Sequence, residues 1–196
     1  MELLRRHEAT AENTGGHVNV SFVEQLTPAE HVRLARLQKA FESVLYRLGN
    51  HPGSTKQRLM MMVGPGPLPA DPSRVPTATE VGGLNRDKAE GLSFRHIEGA
   101  ATDRHEFRFW AGTLDAGETQ AHAELSAAMV LAARDASIDP VLDALMVEPM
   151  LLGRSPAGLA ELTDLLALLP LSPEGREQAV ELFSATREWE NTGSND

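Results

Sequence analysis

The chain has 196 residues, of which 41% are hydrophobic and 23% charged, and its formal net charge is -10. That length accommodates one domain with a substantial core, and the acidic balance lacks the basic field that nucleic acid or an anionic membrane surface requires. With no cysteine, disulfide scaffolds and thiolate metal sites are excluded, so any metal must be held by histidine, carboxylate or water, a donor set that suits magnesium or manganese.

The start Met1-Glu2-Leu3-Leu4-Arg5-Arg6-His7 has no apolar run behind its charges, and no window reaches the roughly 18 apolar residues of a membrane span. A cytoplasmic protein without membrane contact is expected. The first patterned segment, Gly15-Gly16-His17-Val18-Asn19-Val20-Ser21, alternates like a half-buried strand. Val18 and Val20 point to one side. His17, Asn19 and Ser21 share the other, where they offer an imidazole, an amide and a hydroxyl.

Thr27-Pro28-Ala29-Glu30 is a capping box with proline at the first helical position, and the apolar series Leu34, Leu37, Phe41, Val44, Leu45 and Leu48 carries a helix to Gly49. Residues 59–63 are a short apolar strand candidate. The proline-rich stretch 64–83 reads as a loop, because its prolines repeatedly remove backbone donors; a flap over a site and a plain insertion both fit it. Residues 92–98 and 105–110 form an expected antiparallel pair joined by 99–104. In the second strand, Glu106, Arg108 and Trp110 are expected on one face and Phe107 and Phe109 on the other. Asp115 caps an alanine-rich helix running to about Arg134. The remainder reads as helical, with starts at Asp139-Pro140, Ser155-Pro156 and Ser172-Pro173-Glu174, the last helix reaching Trp189 and the end beyond Asn191 frayed.

The expected fold class is therefore α+β: an antiparallel sheet packed with helices over residues 1–135, and a helical extension over 136–196 packed on the same domain. His17 with Glu106 and Arg108 suggests a metal and phosphate site, because the forked donors of arginine suit a transferring phosphate and a neighbouring carboxylate suits its divalent ion. Bland readings stand beside it. A strand histidine is more often a hydrogen-bonded group than a ligand, a solvated sheet face shows the same alternation, and Glu106 with Arg108 also reads as a cross-strand ion pair.

The run Asn13-Thr14-Gly15-Gly16-His17-Val18-Asn19-Val20-Ser21, then Asn85, then Glu106-Phe107-Arg108, then Gly112-Thr113-Leu114-Asp115 leading into a helix, resembles the amidoligase family. That family belongs to the superfamily of carboxylate-amine ligases that includes glutamine synthetase and glutamate-cysteine ligase. The resemblance spans residues 13 to about 134. It implies the C-terminal half of a glutamine synthetase-like catalytic bowl, with ATP and Mg2+ (or Mn2+) as cofactors.

By the same resemblance His17 and Glu106 would be ligands of the metal, and Arg108 would contact the transferred phosphoryl group. Arg58 would hold substrate or phosphate, and Arg95 and Arg104 are similar candidates. Asn19, Ser21 and Asn85 would belong to the nucleotide side. Capping explains Asp115 without chemistry.

Ligases of this superfamily also carry, upstream of the histidine strand, a strand with two carboxylates spaced Glu-x-Glu. Glu8 and Glu12 lie in polar sequence without a strand pattern, so that wall of the bowl is expected from a protein partner or a second copy. The expected function is a subunit or C-terminal half of an ATP-dependent ligase joining a small-molecule or peptide carboxylate to an amine through an acyl phosphate. The alternatives are a binding or regulatory subunit that keeps the fold without the full metal site, and a soluble α+β domain used only for protein contacts.

Overall fold

The computed structural model describes residues 15–22, 24–49, 91–94, 96–97, 103–147 and 158–186. The strand candidate at 59–63, the loop 64–83, most of the connection 99–104, the start of the helix expected from Ser155, and Trp189 with the residues after it lie outside the described residues. So do Arg58, Asn85, Arg95, Glu8 and Glu12.

The described residues form an α+β structure. Three strands, β1 (Gly15–Ser21), β2 (Leu92–Ser93) and β3 (Arg104–Ala111), make an antiparallel sheet in the order β1-β3-β2. Helices α1 (Pro28–Ala40) and α2 (Glu42–Gly49) lie between β1 and β2 in sequence. After β3 come α3 (Ala116–Ala132), a 3-10 turn (Ala136–Ile138), α4 (Asp139–Val147), α5 (Leu159–Leu168) and α6 (Pro173–Ala185). None of the described helices is long and apolar enough to cross a membrane.

Local chemistry accounts for the helix starts. The hydroxyl of Thr27 accepts from the Glu30 N–H at 3.3 Å while the Thr27 N–H donates to Glu30 Oε2 at 2.6 Å, a complete capping box that opens α1. Asp115 accepts from the Glu118 N–H at 3.0 Å and opens α3, and Ser172 accepts from the Gly175 N–H at 2.9 Å and opens α6. The described part of helix α5 starts at Leu159, where Glu161 reaches back to the Gly158 N–H at 2.9 Å and satisfies the first free donor. The single helix expected from 28 to 49 is two. Phe41 leaves the helical region at φ -112° and ψ 25°, and its buried ring occupies the bend between α1 and α2.

One apolar core runs from Leu34 and Leu45 through Phe107 and Leu125 to Leu165 and Phe183, so the C-terminal helices share it with the sheet. Side-chain ties hold the helices to it. The Arg33 guanidinium donates to both carboxylate oxygens of Asp139 at 2.9 Å and to the Ala133 carbonyl at 2.7 Å, and Arg36 pairs with Asp143, which fixes α4 against α1. Arg47 of α2 is buried beneath α6. Its guanidinium carbon lies 3.6 Å from the Phe183 ring centroid, and it donates to the Phe183 carbonyl at 2.9 Å and to the Thr186 hydroxyl at 3.0 Å. The last residue of α2 needs to be glycine: a Cβ on Gly49 would sit 2.2 Å from the Phe109 carbonyl oxygen, so the close approach of helix end to strand depends on its absence.

The pairing of β1 with β3 contains an irregularity with a direct consequence for the face assignments. Val18 lies opposite Phe107, yet Gly16 lies opposite Trp110; two steps along β1 match three along β3, the signature of a β-bulge. Gly16, Val18 and Val20 share the core side of β1 by alternation, so Trp110 turns into the core with Phe107. The expectation that Trp110 shares a face with Glu106 and Arg108 is thereby corrected. Its ring is fully buried, stacks on His122 at 4.4 Å and 17°, and donates through Nε1 to Ser126 Oγ at 2.9 Å.

Candidate functional site

The other face of the sheet carries the polar row. In register, Asn19 of β1, Glu106 of β3 and Ser93 of β2 lie side by side, and Ser21 lies opposite Arg104 two residues along. His17, Asn19 and Ser21 are exposed while Val18 and Val20 are partly covered, as the alternation of the strand predicts.

Glu106 is the hub. Its Oε1 lies 3.0 Å from His17 Nδ1, and its Oε2 lies 3.5 Å from Arg108 Nη1 and 3.9 Å from His96 Nε2. The Glu106 side chain is 12% exposed and Arg108 15%, against 43% for His17 and 29% for His96. A carboxylate so far removed from water needs paired or hydrogen-bonding neighbours, and here the His17 imidazole supplies a close one, with the Arg108 guanidinium and the His96 imidazole at longer range. Arg108 makes one side-chain hydrogen bond among the described residues, to Glu106, and its Nε is buried without a partner. Its backbone is held separately, the N–H donating to the Gly91 carbonyl at 2.6 Å.

Of the residues singled out in the sequence, His17 and Arg108 are thus each within contact range of Glu106. Asn19, Ser21 and Arg104 lie on the same face in the neighbouring register positions. His96 is the residue that sequence reasoning missed. Continued as a strand to residue 98, the segment would alternate His96 onto the face of Phe94, away from Ser93 and Glu106. Pairing stops at Ser93 instead, the Ile97 N–H closes a turn onto the Phe94 carbonyl at 3.0 Å, and His96 comes round to Glu106.

Comparison with models of known protein families, with curated proteins and with solved structures returns no match. The chemistry of the site therefore stands on its own residues.

Among the described residues no group of three or more histidine, aspartate or glutamate side chains is arranged to hold a metal ion. His17 and Glu106 supply one nitrogen and one oxygen donor. They fit an ion that takes most of its shell from water and phosphate oxygens, as magnesium does, and they do not fit a closed cage of protein ligands. Arg108, with unused guanidinium donors beside that carboxylate, fits a phosphate or carboxylate group.

Behind the polar row the sheet carries a second pair of histidines. His31 of α1 and His105 of β3 meet in the core, Nδ1 to Nε2 at 3.0 Å, with Phe22 and Phe94 packed against their rings. Burial lowers the pKa of His31 to about 4, against the raising influence of Asp103 and Glu30, and holds His105 well below the ordinary histidine value, helped by His31 itself. Both rings are neutral at neutral pH and belong to the core. They give Glu106 a rigid strand to stand on.

Proposed function

We propose that this chain forms one wall of the site of an ATP-dependent carboxylate-amine ligase of the amidoligase kind, with a glutamine synthetase-like bowl. The juxtaposition of His17, Glu106 and Arg108 on one sheet face, at 3.0 Å and 3.5 Å, carries the proposal. Bound magnesium-ATP would supply the electrophilic terminal phosphoryl group. Within the chain, His17 and Glu106 would hold the divalent ion, and Arg108 would neutralise charge on the oxygens of the group in transfer. The chemistry that ATP would supply is transfer of its terminal phosphoryl group to the substrate carboxylate with release of ADP, after which the amine would displace phosphate and lose a proton. No protein nucleophile is required, because positioning and charge neutralisation do the catalytic work.

Glu106 is the one carboxylate in contact with this cluster among the described residues. The further carboxylates that the amidoligase resemblance implies we assign to a protein partner or a second copy, in a cytoplasmic assembly. The same observation favours a second reading, a binding or regulatory subunit that keeps the wall and has lost the chemistry.

Glu106→Gln and Arg108→Ala are each expected to lower magnesium-dependent ADP release by the copurified assembly at least about 100-fold, with circular dichroism unchanged. Unchanged turnover would remove the site assignment. For the second reading the measurement is calorimetry: heat from magnesium-ATP binding that depends on His17, together with ADP release, excludes it.

A further inference from the structure

We infer that Glu106 divides the site in two, with His96 and Arg108 forming a phosphate-binding pair on the side of Oε2, while His17 serves the cation side at Oε1. The inference rests on the reading of His17 and Glu106 as the metal wall and adds His96 to it as a residue that touches the phosphoryl group.

The distances make the division. At 3.9 Å, His96 Nε2 lies beyond hydrogen-bonding range of Glu106 Oε2, so the imidazole flanks the carboxylate without being committed to it. Arg108 Nη1 approaches the same oxygen at 3.5 Å, a weak contact, and its Nε is buried with no partner among the described residues. Two nitrogen-bearing groups thus converge on one oxygen and neither is satisfied by it. Both remain partly open to solvent, at 29% and 15%, so a small ion can reach them. The turn that ends β2 after Ser93 is what brings His96 here.

Charge explains why an anion can settle beside a carboxylate. A divalent ion on the Oε1 side offsets Glu106, which frees the positive charge of Arg108 for the ligand. Forked guanidinium donors match two oxygens of a phosphate, and an imidazole N–H beside them supplies a third, separate hydrogen bond. A tetrahedral oxyanion carries a separate oxygen for that third donor, whereas a carboxylate must share one of its two oxygens between donors, which favours phosphate.

The test uses the full chain, with Mn2+ binding followed by electron paramagnetic resonance and inorganic phosphate binding followed by 31P line broadening at saturating Mg2+. His96→Ala is expected to weaken phosphate about tenfold and to change Mn2+ affinity less than about twofold, whereas His17→Ala weakens Mn2+ about tenfold. His96→Gln, which keeps an N–H near the position of Nε2, recovers part of the phosphate affinity and serves as the variant of record if His96→Ala unfolds. Absence of phosphate binding to the unmodified chain, or phosphate affinity indifferent to His96, overturns the inference. Acetate binding as tightly as phosphate in a His96-dependent manner also overturns it, by making the subsite one for the substrate carboxylate. Mn2+ binding indifferent to His17 while phosphate binding still depends on His96 strikes the metal wall instead and leaves the anion pair standing.

Discussion

His31 Nδ1 and His105 Nε2 face each other at 3.0 Å across the boundary between α1 and β3, 74 residues apart in sequence, with neither ring in reach of bulk water. In a neutral pair one ring donates and the other accepts; a proton added to the pair places a charge among Phe22 and Phe94.

The consequence is a fall in stability on mild acidification. Burial lowers the pKa of His31 and of His122 to about 4, and holds that of His105 well below the ordinary value, all from a common unfolded value of 6.5. The unfolded chain therefore binds more protons than the folded one in the window between 6.5 and 4. The stabilisation these rings contribute as neutral groups is complete above pH 6.5 and is lost as pH falls through that window, at about 1.4 kcal/mol per pH unit for each excess proton. Urea denaturation at pH 7.5, 6 and 5 should show a steadily falling midpoint with an unchanged slope; equal midpoints at pH 7.5 and 5 would contradict a neutral buried pair.

Ser126 should matter through Trp110. The indole N–H of Trp110 donates to Ser126 Oγ at 2.9 Å, and the same hydroxyl donates to the His122 carbonyl at 2.8 Å. Ser126→Ala removes the hydroxyl to which the buried indole N–H donates, at a cost of about 1–3 kcal/mol. Trp110→Phe together with Ser126→Ala removes donor and acceptor at once, so the double variant should lose less than the sum of the two single changes. Chemical denaturation of the four proteins measures the coupling, and strict additivity would refute the bond.

Arg47 is the tie between α2 and α6. Arg47→Lys keeps the charge and discards both the fork that reaches Phe183 and Thr186 and the flat group stacked on the Phe183 ring. A loss of about 2 kcal/mol is expected. Amide exchange should accelerate first over residues 179–185, because α6 loses its anchor there while the sheet keeps its own hydrogen bonds. Uniform acceleration over α6 and β3 alike would show instead that the helix and the sheet open as one unit.

Much of this architecture is legible one element at a time. Thr27-Pro28-Ala29-Glu30, Asp115 and Ser172-Pro173 announce helix starts that the structure contains, since a cap is a contract between residues three apart. The alternation of Gly15–Ser21 announces a strand with His17, Asn19 and Ser21 on its open face, because the side-chain period of a strand is two wherever the strand lies. Glu106 and Arg108, two apart on one strand, had to share a face as long as the strand stayed regular between them.

What only the tertiary structure decided are the features set by partners distant in sequence. A bulge between β1 and β3 sends Trp110 into the core, and no local rule marks it, because it is a property of how two strands register. The early end of β2 turns His96 toward Glu106, a fact that depends on where pairing with β3 stops. By itself, then, the sequence determined the capped helix starts, the polar face and the chemistry available on it, for these follow from periodicity and caps. The tertiary structure decided which of those groups meet at Glu106, because register and packing, rather than propensity, set the distances between side chains that lie far apart along the chain.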